Sequence, residues 1–209
     1  MATSQSIRVF LKDLASSAPT PGGGAASALA AALGAASIEK ICRIAGRNPR
    51  LKSYHRNLRR LQHQTQSLRR TFERLSHQDQ QAYRRVIEAI RHARGSSGKK
   101  TFHASIQTAL KKAAAPPLAL CENSLKMMGL LQRFPSELPS HLWSDIGAGL
   151  LLLHAAFQSG AFFVRTNLEN VQNTAFTRKT FQRLTSLERK AKNLFGKVLP
   201  PIKVRLHAR

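Results

Sequence analysis

The sequence predicts an all-α fold, a single bundle of five to six mostly antiparallel helices. Apolar residues recur at spacings of three and four, and no stretch alternates apolar and polar residues for long enough to form a sheet. The 209 residues, 42% of them hydrophobic, are enough to bury one core. We place the helical domain at residues 1–199 and a short basic tail, opened by Pro200-Pro201, at residues 200–209.

The N-terminal half is expected to contain three helices separated by glycine and proline. The first is amphipathic and ends before a loop that runs to Gly24. Alanine, the best helix former, then fills eight of the thirteen residues 25–37, which favours a second helix that a neighbour can approach closely. The third helix carries a heptad pattern and ends at Gly95–Gly98. We predict these helices over Ser4–Ser16, Ala25–Ala45 and Pro49–Arg94.

The C-terminal half is expected to contain three more helices. Pro116-Pro117 should bend or break the fourth, because proline lacks the N–H that a helix interior needs. The fifth is apolar almost all round, which is typical of a central, buried helix. The sixth is amphipathic and basic. We predict these helices over Lys100–Arg133, Ser144–Val171 and Thr177–Phe195.

The charge of the chain is strongly positive. There are 34 Lys and Arg against 10 Asp and Glu, a net charge of +24. Residues 43–112 carry a net +15 and residues 165–209 a net +9. Such surfaces attract nucleic acid, anionic lipid or polyanionic ligands. The pattern leaves two readings open, a solvated face and a surface that faces an anion.

Several classes of protein are disfavoured by the composition. The only cysteines, Cys42 and Cys121, exclude a disulfide scaffold and are predicted to be buried hydrophobes. No Cys/His spacing matches a zinc site, so we expect no metal. Met1–Ser6 is too polar for a signal peptide, and His154 interrupts the apolar run Gly147–Val164, so we expect no membrane span. We predict a cytoplasmic protein.

Asp79 is the most informative single residue. It occupies an inward heptad position between Phe72 and Val86, where an aliphatic side chain is expected. A carboxylate at such a position must be paired, hydrogen-bonded or protonated, because burying it alone is costly. Its pKa can then rise toward neutrality, which suits acid–base chemistry. The structural alternatives are a buried ion pair and a helix-capping contact.

A glycine turn is the second candidate feature. Thr20-Pro21-Gly22-Gly23-Gly24 leads directly into a helix, where uncovered N–H groups can bind a carboxylate, a phosphate or a carbonyl oxygen. The alternative is a tight turn with a helix cap. Ser144-Asp145 is expected to cap the central helix. Asn167 lies on the inward stripe of that helix, where a buried amide needs partners.

These residues resemble a known family. Residues 17–33, which read SAPTPGGGAASALAAAL, are similar to the opening signature of the cyclodeaminase/cyclohydrolase family. That family comprises the cyclodeaminase domain of formiminotransferase-cyclodeaminase and the bacterial methenyltetrahydrofolate cyclohydrolases. The resemblance covers about residues 7–175. Further similar segments follow in order: Gly46-Arg47 to Tyr54, Asp79 with Ala82-Tyr83 and Val86, Ala113–Leu118, Ser144-Asp145, and Val164 to Asn167-Leu168.

The resemblance implies a homodimeric folate enzyme. Either 5,10-methenyltetrahydrofolate is hydrolysed, or a formimino adduct cyclises with loss of ammonia, by general acid–base catalysis and with no cofactor beyond the folate substrate. Asp79 is implied as the acid–base group and Asp145 as a second carboxylate near the pterin or the water. The long heptad helix and the apolar fifth helix independently favour a dimer, because they supply more apolar surface than a small bundle covers. The implied substrate-binding residues are Thr20, Pro21, Gly22, Gly23, Gly24, Tyr54 and Asn167.

Three positions depart from the family pattern. His77 stands where the family usually has a second acid, Phe163 where it has Asn, and Asn173 where it has Asp. With the high basicity, these departures support an alternative, a catalytically degenerate member that binds nucleic acid or an acidic partner. That alternative is less favoured, because the chain has only two Tyr and one Trp and no recognised nucleic-acid motif.

Overall fold

Helices make up nearly all of the protein, in a computed structural model that describes residues 6–94 and 99–207. Within these ranges the side chains at 93–94, 99–103 and 207 are not described. No strand occurs in the described ranges, which confirms the predicted all-α class. The elements are α1 (Ile7–Leu14), α2 (Gly23–Ala45), a 3₁₀ segment (Pro49–Tyr54), α3 (His55–Arg94), α4 (Lys99–Ala113), α5 (Ala115–Leu130), a second 3₁₀ segment (Leu131–Arg133), α6 (Leu142–Glu169) and α7 (Thr174–His207).

The predicted helices are confirmed, with shifted ends. The fourth is broken into α4 and α5 at Ala114, just before Pro116, as its two prolines predicted. The expected cap at Ser144 is wrong, because α6 begins at Leu142 with His141 as its N-cap. The predicted Gly95–Gly98 break lies outside the described residues.

The basic C-terminal helix is longer than predicted. Its expected end at Phe195 is wrong, since α7 continues through Pro200 and Pro201 to His207. Ile202 explains why the helix persists despite the prolines: it is 2% exposed and packs near Gly147 of α6. Burial of that side chain offsets part of the cost of the hydrogen bonds that proline removes.

Two antiparallel helices, α2 and α6, form the centre of the bundle. A Cβ atom on Gly34 would lie 2.9 Å from the carbonyl oxygen of Gly149, so the two backbones are in contact where the alanine-rich sequence predicted a close approach. Gly23 meets Phe163 at one end of this pair, and Lys40 bonds Asp145 at the other. The two ends of α2 therefore present different chemistry.

The other helices cover this central pair. α3 runs antiparallel to α2, with Ser76 Oγ donating to the Ala25 carbonyl at 3.0 Å. α5 and α7 pack on α6, where Arg165 donates to both oxygens of Glu188 at 2.9 Å. The heptad prediction for the inner side of α3 is confirmed for most of its positions, while Asp79, also predicted to face inward, is half-buried. The buried residues of α3 are Leu58, Leu61, Thr65, Leu68, Phe72, Leu75, Ser76 and Val86.

Two core helices are also long and apolar enough to cross a membrane by length and composition alone. These are α2 and α6, and 61% and 50% of their most apolar windows are buried inside the protein. The central helices of a bundle pass the same test, because they must be apolar on most sides.

Candidate active site

Asp79 lies on α3 beside the N-terminus of α2. Its carboxylate accepts a hydrogen bond from the backbone N–H of Ala25, in the first turn of α2. The N-cap of that helix, Gly22, has no side chain to supply an acceptor, so Asp79 provides one from the neighbouring helix. The helix-capping alternative is therefore what the structure contains. The ion-pair alternative is wrong, since no salt bridge among the described residues includes Asp79.

The environment of Asp79 raises the pKa of its carboxyl group to about 6. Burial is the dominant cause, because it penalises the charged form, and the hydrogen bond from Ala25 opposes it. A carboxyl group with this pKa is ionised in most molecules at neutral pH and still protonates readily. Such a group can both accept and donate a proton during one turnover.

The glycines of the turn permit close approach of side chains from other helices. Gly24 lies directly against the Asp79 carboxylate, where a Cβ atom would collide with both oxygens. A Cβ atom on Gly23 would lie 2.5 Å from Cζ of Phe163. Gly22, in contrast, has open space around it. No glycine among the described residues has a positive φ, so Gly23 and Gly24 are required for space.

The N-terminus of α2 offers donors beside this carboxylate. The N–H groups of Gly23 and Gly24 lie in the first turn, where they have no acceptor within their own helix. The carboxylate of Asp79 already lies at this helix end, so a second anion would be repelled. The site therefore suits a neutral oxygen or a cationic group.

Side chains around the turn hold it in place. Arg84 Nε donates to Thr20 Oγ1 at 3.0 Å, and Pro21 is buried after a cis peptide bond. The hydroxyl groups of Ser27 and Ser159 are hydrogen-bonded to each other across α2 and α6. Thr20 and Pro21 were predicted from the sequence, whereas Arg84 and Ser159 were missed, because only the fold brings them beside the turn.

Tyr83 is an exposed aromatic residue near Asp79. It lies one helical turn further along the same face of α3, and 46% of its surface is accessible. In the sequence, Tyr83 stood out only as part of a segment similar to the family. Its i,i+4 spacing from Asp79 was the signal that could have identified it.

Asp145 and Tyr54 lie at the opposite end of the bundle. Lys40 Nζ donates to Asp145 Oδ2 at 2.9 Å, and Lys40 is sixteen residues beyond Gly24 on α2, about 24 Å along the helix. Tyr54 donates to Glu137 at 2.6 Å, and this hydrogen bond raises the pKa of Tyr54. One chain therefore does not bring either residue to Asp79.

Asn167 and Asn173 have structural partners. Asn167 Nδ2 donates to the Ala113 carbonyl at 2.8 Å, where α4 breaks before α5. Its predicted role with a ligand stays a prediction. Asn173 Oδ1 accepts from the Phe176 N–H at 2.8 Å and caps α7, a role that asparagine and aspartate fill equally well.

A larger groove adjoins this site but does not contain Asp79. It has a volume of about 920 Å³ and lies between α3 and the consecutive helices α4 and α5. Gln78 and Ala82 line it from the neighbouring face of α3. Among the described residues, no group of three or more His, Cys, Asp or Glu side chains is arranged to hold a metal ion.

The fold is a helical bundle, as the resemblance implied, and the half-buried Asp79 carboxylate lies at the N-terminus of its glycine-led helix. The chain belongs to the formiminotransferase-cyclodeaminase family, whose model matches residues 6–186.

Individual relatives support this assignment. The chain is 29% identical over 208 residues to a methenyltetrahydrofolate cyclohydrolase of Methylorubrum extorquens, covering 99% of this chain and 100% of that protein. It is 26% identical to the formimidoyltransferase-cyclodeaminase of Mus musculus, covering 96% of this chain but only 37% of that protein. The crystal structure of a formiminotetrahydrofolate cyclodeaminase from Thermotoga maritima has the same fold, with a TM-score of 0.86, 22% identity and coverage of 96% and 97% of the two chains.

Proposed function

We propose that the chain is a folate one-carbon enzyme that acts on the C–N bonds of a tetrahydrofolate adduct, as a cytoplasmic homodimer. Similarity to a methenyltetrahydrofolate cyclohydrolase along its full length supports this function. The structural observation that carries it is the carboxyl group of Asp79, with a pKa of about 6, at a helix N-terminus that suits a neutral or cationic ligand.

Hydrolysis of 5,10-methenyltetrahydrofolate is the first candidate reaction. The carbon between N5 and N10 belongs to a cationic amidinium, which the Asp79 carboxylate attracts. Ionised Asp79 accepts a proton as water attacks this carbon, and returns it to N5 as the C–N5 bond breaks. The products are 10-formyltetrahydrofolate and one proton, which comes from the second O–H bond of the water. The N–H groups of Gly23 and Gly24 are available to the oxygen that develops on the carbon.

Cyclisation of 5-formiminotetrahydrofolate is the second candidate, favoured by the family that the chain matches. N10 attacks the carbon of the formimino group in its protonated, amidinium form and loses its own proton. That proton passes to the formimino nitrogen, which leaves as ammonia, and the 5,10-methenyl cation remains. Asp79 can transfer the proton between these two nitrogens. The same carboxyl group therefore serves both reactions, and the substrate that is turned over distinguishes them.

Two aromatic side chains border the proposed ligand position. Tyr83 is exposed beside Asp79 and offers a flat face to a pterin ring. The Phe163 ring covers Gly23, where the family usually has an amide, and makes that side of the site apolar. Burial of the Asp79 carboxyl group is consistent with such surroundings.

The outer face of the α2–α6 pair supports the homodimer. Leu33, Leu151 and Phe162 are 48%, 53% and 66% exposed on two helices that otherwise form the core. Exposed apolar surface of this kind marks a protein interface. Asp145 and Asp79 are far apart within one chain. If the α2 helices of the two subunits cross antiparallel, the partner's Asp145 would lie near Asp79, and each site would contain one carboxylate from each subunit.

Mixing two inactive variants tests this shared site. Asp79→Asn and Asp145→Asn proteins should each be slow alone. After their subunits exchange, hybrid dimers contain one intact site, so about a quarter of the wild-type activity should return. Full activity of the Asp145→Asn protein would show that Asp145 is not part of the site. If activity does not return after subunit exchange has been verified, the site is not shared between the two subunits.

The proposed function is tested by direct turnover. Purified protein is incubated with 5,10-methenyltetrahydrofolate, whose absorbance is followed against buffer, and separately with 5-formiminotetrahydrofolate while ammonia is measured. Asp79→Asn is the control for the uncatalysed reaction. Turnover of either substrate by the wild type alone supports the proposal. A wild type that matches Asp79→Asn on both substrates would favour the degenerate binding protein, the alternative that Phe163 and His77 support.

A further inference from the structure

We propose that one side of α3 binds the phosphate backbone of duplex nucleic acid. This proposal goes beyond the folate chemistry and uses none of its residues. The surface, named here the α3 stripe, consists of outward side chains on a single helix. Its members are Arg56, Arg60, His63, Ser67, Arg70, Arg74, Gln78, Gln81 and Arg85.

The α3 stripe is straight and long. Its members follow one another at spacings of three or four residues, which places them on one side of the helix, opposite buried Leu61 and Phe72. From Arg56 to Arg85 the helix rises about 44 Å. A duplex with phosphates 3.4 Å apart along each strand presents about 13 base pairs over that length.

The positive charge of the α3 stripe is not neutralised. It contains five arginines and no acid, and the next acidic residue in line is Glu88, beyond its end. The described ion pairs include none of Arg56, Arg60 and Arg70, all of which are exposed. Five of the described acids, Glu39 and Glu188 among them, form ion pairs with other residues. The charge of this surface therefore faces solvent.

The side-chain types favour duplex phosphate over other polyanions. Arginine, glutamine and serine all donate to phosphate oxygens. No aromatic residue belongs to the α3 stripe, whereas proteins that bind single strands use aromatic side chains as stacking platforms. No large apolar residue belongs to it either, whereas helices that bind membrane surfaces insert such residues. The absence of aromatic residues from the α3 stripe therefore disfavours single strands and agrees with binding to a duplex backbone that is independent of base sequence.

The position of the α3 stripe leaves the proposed folate site accessible. α2 packs on the opposite, buried side of α3, and Asp79 faces α2. The exposed apolar face proposed for dimer contact lies on α2 and α6, away from the stripe. Both copies of a dimer would therefore present this surface to solvent, and duplex binding should leave folate turnover unchanged.

The test compares two variants that each lose three positive charges. One is Arg56→Gln/Arg60→Gln/Arg70→Gln in the α3 stripe. The matched control is Arg178→Gln/Arg189→Gln/Lys197→Gln, at exposed positions of α7. Fluorescence anisotropy with labelled 20-base-pair DNA and RNA duplexes measures affinity between 50 and 300 mM KCl. Circular dichroism and folate turnover establish that each variant is folded.

The wild type should bind both duplexes with a dissociation constant of about 1–100 μM and a steep dependence on salt. The stripe variant should lose at least tenfold in affinity at low salt, and its log–log salt slope should fall by about 2 to 3, close to one unit for each lost phosphate contact. The α7 control should change affinity less than threefold. Equal losses in the two variants, absence of duplex binding, or equally effective competition by polyglutamate of the same charge would overturn the proposal.

Discussion

Two acidic side chains, Glu39 near the C-terminal end of α2 and half-buried Asp79 of α3 beside its N-terminal end, lie in opposite electrostatic environments. At the C-terminal end, Glu39 is 5% exposed, and burial alone would raise its pKa. Hydrogen bonds from Arg69 at 2.8 Å and Arg43 at 2.7 Å outweigh that effect, so its pKa is lowered. At the N-terminal end, Asp79 has one backbone N–H and no counter-ion in the described structure, and its pKa rises to about 6.

This difference separates a carboxylate whose pKa is lowered from one whose pKa is raised, and the second is the group that we propose as acid and base. Two guanidinium groups keep Glu39 ionised at any ordinary pH, so it stabilises the packing of α2 on α3 and cannot exchange a proton usefully. Asp79 is held by geometry and only weakly by charge, so its proton is easily gained and lost. Burial alone therefore does not determine the pKa of an acidic side chain. The groups that pair with it or donate hydrogen bonds to it decide whether the pKa is lowered or raised.

The largest expected effect comes from Asp79→Asn. The asparagine oxygen still accepts from the Ala25 N–H, while the ionisable group is lost. We expect turnover to fall at least about 10²-fold, the usual size of an acid–base contribution. The melting temperature at pH 7 should stay the same or rise, because a poorly solvated charge has been removed. Early melting with normal turnover of the folded protein would return Asp79 to a structural role.

A tenfold or larger loss of turnover is expected for Gly24→Ala. The new methyl group collides with the Asp79 carboxylate, which must move away from the α2 N-terminus. The matched control is Gly22→Ala, where the added atom meets open space in an extended backbone conformation. Assays of both variants at equal helical content separate the two. Equal activity of the two would mean that close contact between Asp79 and the turn is not required.

The pH dependence should move activity and stability in opposite directions. Since ionised Asp79 is the proposed base, the rate should fall about tenfold per pH unit below pH 6. Between pH 4 and pH 6 the Asp79 carboxyl group keeps its proton in the native protein but loses it in the unfolded chain. The free energy of unfolding should therefore decrease as the pH rises from 4 to 6. Relative to Asp79→Asn the decrease should be on the order of 2–3 kcal/mol. Denaturant titrations of both proteins at pH 4, 5, 6 and 7 measure it.

The smallest effect on rate is expected from Glu39→Gln at the other end. Loss of this carboxylate leaves Arg43 and Arg69 without their shared partner, and both are partly solvated. The free energy of unfolding should decrease by about 1–3 kcal/mol at pH 7, with turnover within twofold of the wild type. Chemical denaturation and the folate assay on one preparation measure both. A loss of turnover without a loss of stability would contradict the division between the two ends.

Local sequence features determined which segments are helical and marked the candidate residues of the turn. The heptad spacing placed Asp79 on the inner side of α3, and three glycines before an alanine run marked the N-terminus of α2. Both are local properties, since helical period and propensity are set by residues within one or two turns. The exact ends were less predictable: proline near Pro200 argued for a stop, but burial of Ile202 maintained the helix.

Only the tertiary structure decided which of these residues meet. The antiparallel pairing of α2 with α6 places Phe163 against Gly23, and it places Asp145 beside Lys40, about 24 Å from the Asp79 end. Pairing direction and register depend on the packing of faces that are distant in sequence, such as the backbone contact of Gly34 with Gly149. The sequence by itself therefore determined the helices and the helix face on which each candidate residue lies. Packing decided the distances between those positions, because a helix fixes its own geometry but not that of its neighbour.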